Sequence, residues 1–165
     1  MADDKSSIRG EVTVELRDPQ GNLKAREVVR NLVTNVGDQL YASRGAGLTT
    51  SDLPVGMKLG TGSTAVAKSG AGAALATYLT DSDQEFDDTY PSCTGGVVTY
   101  KVSYAAGKAT SASDAITEVV IYTDTTADAT SAAADTISRA LLSGIASKQA
   151  GDTLTVTWTH TLLGA

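Results

Sequence analysis

Histidine and cysteine are almost missing from this chain of 165 residues, which has one of each, His160 and Cys93. A single thiol excludes an intrachain disulfide framework and a cysteine-rich zinc site. A single imidazole excludes any site built on several histidines. Long hydrophobic runs are also absent. No segment approaches the roughly 20 apolar residues of a membrane span, and the opening MADDKSSIRG lacks the apolar centre of a signal peptide. The expectation is a soluble chain made in the cytoplasm, with no membrane partner. There is no basic excess either: 13 Lys+Arg stand against 19 Asp+Glu, a net charge of −6, which argues against nucleic acid as a partner. Aromatic residues make up 5% of the chain and charged residues 19%, so the core must be built from small and β-branched side chains.

What is present reads as strands. Val12, Val14 and Leu16 alternate with Glu11, Thr13, Glu15 and Arg17, the period of a strand with one buried face. Asp18-Pro19-Gln20-Gly21-Asn22 supplies a turn, and Leu23 to Val29 returns antiparallel to complete a hairpin. Thr34 or Asn35 caps a predicted helix with Val36, Leu40 and Tyr41 at helical spacing. Gly37 weakens that helix, and Gly45 and Gly47 limit it to about three turns. Val55 to Leu59 reads as a short strand entering a Gly60-Thr61-Gly62-Ser63 turn, Ala73 to Thr80 is open between helix and strand, and acidic Asp81 to Asp88 is expected in solvent.

Val97 to Tyr104, Ile116 to Tyr122, Ile137 to Leu142 and Leu154 to Leu162 are four further β-type runs. The last has Leu154, Val156, Trp158, His160 and Leu162 on one face and Thr153, Thr155, Thr157, Thr159 and Thr161 on the other, so its register is strongly specified. With no strand–helix–strand alternation, the chain is expected to form one antiparallel sandwich or barrel with a short helix over residues 1–165.

The motifs that carry chemistry each have a plainer alternative. Gly62 to Ser69 has the spacing of a phosphate loop, but Ala67 replaces the glycine before Lys68-Ser69, and Val119 to Asp124 only mimics a magnesium-holding strand. A flexible loop is the favoured reading. Asp81, Asp83 and Glu85 alternate as in a calcium loop, but Ser92 stands where the bidentate Glu belongs, so a solvated acidic loop is favoured. His160, between Trp158 and Leu162, reads as a packed imidazole bonded to backbone or to a Ser/Thr hydroxyl, with no Gly-x-Ser-x-Gly elbow to make it catalytic. Cys93 reads as a loop or strand-edge residue. The Thr row is either an exposed sheet surface or a contact between copies. No catalytic, cofactor or metal residues are assigned.

Three C-terminal segments carry a resemblance. They are Ile116-Thr117-Glu118-Val119-Val120-Ile121, Thr136-Ile137-Ser138-Arg139-Ala140-Leu141-Leu142, and Lys148-Gln149-Ala150-Gly151-Asp152-Thr153-Leu154-Thr155-Val156-Thr157-Trp158. With Asn31 to Asp38 and Met57 to Gly62 upstream, they resemble a family of small structural proteins of tailed-bacteriophage particles, over about Asn31 to Ala165. Residues 1–30, an arm and hairpin, are then a variable addition. The resemblance implies a virion protein with a β-sandwich or jelly-roll-like core, no catalytic residues and no cofactor. Its implied partners are the major capsid protein or other virion proteins, together with further copies of itself. The short length and the lack of fibrous repeats or coiled-coil heptads favour capsid decoration or cement over a tail, neck or baseplate role. A carbohydrate- or cell-surface-binding β module is the alternative from another class. The expected contact regions are the N-terminal arm and hairpin, the loop from Gly60 to Gly72, and Asp81 to Asp88.

Overall fold

The computed structural model describes residues 8–49, 52–123 and 129–162. Its strands are β1 (Arg9–Arg17), β2 (Leu23–Arg30), β3 (Leu32–Val33), β4 (Gly56–Gly60), β5 (Gln84–Glu85), β6 (Ser92–Thr94), β7 (Val97–Tyr104), β8 (Glu118–Tyr122), β9 (Thr136–Leu141) and β10 (Thr153–Thr161). One helix, α1 (Asn35–Gly45), follows β3. The strands make two five-stranded antiparallel sheets, in the orders β2-β1-β10-β7-β6 and β3-β9-β8-β4-β5. The fold is an all-β sandwich with one short helix.

Alternation along the strands builds the core. Val12, Val14 and Leu16 of β1, Tyr100, Val102 and Tyr104 of β7, and Leu154, Val156 and Trp158 of β10 meet Met57, Leu59, Val119, Ile121 and Ala140 from the other sheet in one cluster. The β10 register expected from the Thr alternation holds through Thr161, with Trp158 and His160 fully buried. Leu162 departs from it: the strand ends one residue earlier and Leu162 is 38% exposed. The threonines lie on the opposite face, mostly half-buried, because each is flanked by side chains of β1 and β7.

Local chemistry sets the boundaries. Asp18 closes the first hairpin by accepting the Gln20 and Asn22 amides at 2.9 and 2.8 Å, and Gly21 turns the chain at φ +85°. Thr34 caps α1: its Oγ1 accepts the Gly37 N–H at 3.1 Å and donates to the Thr136 carbonyl at 2.6 Å. Gly37, which weakens the helix as a propensity, is needed as a contact, since a Cβ there would overlap the Ile137 carbonyl and the Val33 side chain. Where β3 ends, the Thr34 N–H bonds the Ile137 carbonyl, so the helix start continues along the edge of β9.

The chain changes sheets at both sides of the sandwich. Asn31 alone links β2 to β3. On the other side, Phe86 N–H bonds the Val55 carbonyl and Asp87 N–H bonds the Lys101 carbonyl, so the segment from β5 to β6 spans the two sheets. Ala73 to Thr80, open between helix and strand on sequence, is irregular apart from an isolated bridge between Tyr78 and Gly60. The strand expected from Ile116 starts at Glu118.

Candidate assembly surface

Two buried polar clusters organise the interior, and of the residues that the sequence marked as chemically suggestive they take in Gly62 and His160. The first centres on Glu118 of β8 and Arg139 of β9, both side chains wholly buried, with Nη2 2.7 Å and Nε 3.1 Å from Oε2. The carboxylate also accepts backbone amides from Gly62 at 3.0 Å, Thr77 at 2.8 Å and Ala76 at 3.1 Å, while Arg139 Nη1 donates to the Gly72 carbonyl at 3.1 Å. Thr117 Oγ1 donates to the Gly62 carbonyl at 2.7 Å. Gly60 and Gly62 leave room for this: a Cβ at either would fall 2.6 or 2.5 Å from Glu118 Oε1. A buried pair with its lone pairs and protons satisfied resists loss of either partner. Here it fastens both ends of the loop from Gly60 to Gly72 onto the second sheet.

The second cluster surrounds His160. Nδ1 lies 2.6 Å from Tyr41 Oη, which lies 2.7 Å from Tyr100 Oη, and Nε2 lies 3.2 Å from both Ser138 Oγ and Asn31 Nδ2. A neutral imidazole, with one ring nitrogen donating and the other accepting, is accommodated by these hydroxyl and amide partners. Burial lowers the imidazole pKa to about 3 and raises those of Tyr41 and Tyr100, so the cluster is neutral throughout the ordinary pH range. Gly10 admits the Asn31 side chain, which any Cβ there would overlap. The expected packed histidine with a hydroxyl partner is what the fold contains. The tyrosine and asparagine partners carry no signal in the sequence, because helix, strand and linker bring them in from far along the chain.

The near-miss phosphate loop does not open a helix: a single 3₁₀ turn at Gly70–Gly72 follows it, and Lys68 Nζ bonds Asp38 at 2.6 Å. Asp124, the acid of the accompanying strand motif, lies outside the described residues. The acidic segment differs from the expected solvated loop. Ser82 is buried on the Leu59 backbone, Asp83 accepts the Tyr78 hydroxyl at 2.9 Å, Asp81 pairs with Lys108 at 2.6 Å, and Asp87 takes the Ser103 amide and hydroxyl at 2.8 and 2.7 Å. Its carboxylates diverge to separate partners because the segment runs as an edge strand and a crossing. Among the described residues no group of three His, Cys, Asp or Glu converges on one point. Cys93 is exposed on the edge strand β6.

With these groups consumed by the fold, the distinctive surface is the first sheet. Its outer face is a set of cross-strand rows of hydroxyl and charged side chains: Arg26–Glu15–Thr155–Ser103, then Val28–Thr13–Thr157–Lys101, then Arg30–Glu11–Thr159–Thr99–Ser92. Among the described residues its edge strands are β2 and β6. β2 is eight residues long, with Leu23 50% and Val28 43% exposed, and β6 has all three residues exposed. The chain matches no known protein family, no curated protein and no solved structure.

Proposed function

We propose that this chain is a structural protein of a tailed-bacteriophage particle, a decoration or cement protein bound to the repeating lattice of the major capsid protein. The observation that carries this reading is the convergence of the segments on which the resemblance rests. Gly60 and Gly62, Thr117 and Glu118, and Arg139 lie far apart in the chain and meet in one buried knot. The Gly-Asp-Thr-Leu-Thr-Val-Thr-Trp segment forms the middle strand of the first sheet, between β1 and β7. These residues act as fold determinants, as expected of a protein whose work is to be assembled. Many weak lattice contacts become durable when sites are linked, because linkage raises effective concentration. Quantitative mass spectrometry of purified particles tests the proposal: copies in the hundreds support a shell protein, a handful support a tail, neck or baseplate component, and absence from particles overturns the virion role.

A further inference from the structure

We infer that the corner of the first sheet at Arg9 and Arg30 is a binding site for an acidic sugar, a ligand that joins a carboxylate to hydroxyl groups. Six basic side chains stand on the strands of this sheet, and four of them have a carboxylate partner. Arg17 and Arg26 each lie 3.4 Å from Glu15, Lys24 is 2.6 Å from Asp152, and Lys101 is 3.8 Å from Asp87. Arg9 and Arg30 are exposed, and among the described residues neither has an ion pair or a side-chain hydrogen bond. Both line one concavity of about 620 Å³, together with Glu11, Thr159 and Thr161.

Register puts these five side chains on one surface. Glu11 stands opposite Arg30 on β2 and opposite Thr159 on β10, while Arg9, two residues before Glu11 on β1, stands opposite Thr161. Residues paired across strands, or two apart along one strand, point to the same face, so Arg9 and Arg30 are diagonal neighbours within reach of one ligand. Their guanidiniums offer the parallel N–H forks that fit a carboxylate. The Thr159 and Thr161 side chains, half-buried beside them, have no hydrogen bond among the described residues and add two hydroxyl donors. No aromatic side chain lines the concavity, so its ligand is held by polar contacts. Glu11 then selects among anions. Its carboxylate forms no ion pair with either arginine and is an acceptor within the same concavity. It repels a bare polyvalent anion, and it accepts the hydroxyl of a ligand whose own carboxylate has reached the arginines. A hexuronic acid carries both groups on one ring.

The inference is independent of the virion role and is tested on the purified full-length protein, at low salt, by titrating sodium glucuronate and following backbone amide resonances by NMR. Saturable shifts are expected at Arg9, Glu11, Arg30, Thr159 and Thr161, with millimolar affinity. Glucose and inorganic phosphate, each lacking half of the recognised chemistry, are expected to bind about tenfold more weakly or less. Arg9→Gln and Arg30→Gln are each expected to weaken glucuronate binding by about tenfold, whereas Lys101→Gln, on the same face but outside the concavity, leaves it unchanged. Glu11→Ala is expected to lower the preference for glucuronate over phosphate. The substituted side chains are exposed or half-buried on the outer face, and circular dichroism confirms that each variant is folded. Shifts that do not saturate, shifts that sodium chloride reproduces at equal ionic strength, or arginine variants that bind like wild type would each overturn the inference. Tighter binding of glucose 6-phosphate than of glucuronate would overturn the assignment to a sugar acid. Binding seen only in Asp3→Asn/Asp4→Asn would mean that the chain's own N-terminal carboxylates fill the corner, and would overturn it as well. None of these outcomes bears on whether the protein is found in particles.

Discussion

The sharpest consequence of the buried His160 cluster is acid sensitivity in a window that other groups leave alone. The imidazole's ordinary pKa of 6.5 falls to about 3 in the fold because burial penalises the charged form. Its neutral state is therefore a requirement of folding. Stability from this source is complete above the unfolded value and is lost as pH falls from 6.5 toward 3. Linkage gives a loss of about 1 kcal/mol at pH 6, about 2 kcal/mol at pH 5 and roughly 4 kcal/mol at pH 3, relative to pH 7.5. Asp18 and Asp152 also have lowered values, Asp18 chiefly through the Asn22 side chain and Asp152 chiefly through Lys24. An unfolded Asp at pH 5 binds less than about a tenth of a proton, so these groups contribute only at lower pH. Urea unfolding followed by the fluorescence of Trp158, the one tryptophan, measures the loss directly. Because the chain has a single histidine, its ring resonances report one site, and in the folded protein they should stay neutral down to pH 4. Equal stability at pH 7.5 and 5, or a ring that titrates near 6.5 in the native state, would refute the reasoning.

Four further outcomes follow from the packing. Glu118→Ala should cost about 3–5 kcal/mol in urea unfolding, since it leaves a buried guanidinium and three amides without their acceptor. Lys68→Ala should change stability by less than about 0.5 kcal/mol, because both partners of its ion pair with Asp38 are nearly half exposed. Gly37→Ala should destabilise by about 1–3 kcal/mol, as its Cβ meets the Ile137 backbone. Gly45→Ala, at the end of the same helix with open space around it, should instead stabilise by about 0.5 kcal/mol. Thermal unfolding of the two helix variants side by side separates these signs.

Much of the sandwich was legible because its signals are local. The alternation in β1 and β10 specifies register by itself, and Asp18 with Gly21 specifies the turn, since a slip of one residue would expose an entire apolar row. The short edge strands β5 and β6 were not legible, since two or three residues bonded across a sheet leave no periodicity in the sequence. The acidic stretch was misread as free in solvent for the same reason: Ser82, Asp83 and Asp87 find partners at Leu59, Tyr78 and Ser103 only once the sheets are placed. Glu118 and Arg139 stood in the segments that carried the resemblance, but their union needs adjacent strands whose outward faces are covered by a distant loop.

The pairing of β1 with β10 over nine residue pairs has a mechanical consequence. Arg9 and Thr161 sit side by side at one pole, so tension applied through tethers beyond them peels the ladder open one rung after another, at low force. Load entering through the flanking borders is shared by many interstrand bonds at once. A lattice that holds this subunit by its borders would hold it at its strongest, while a subunit hung from its chain ends would yield first at Arg9 and Thr161.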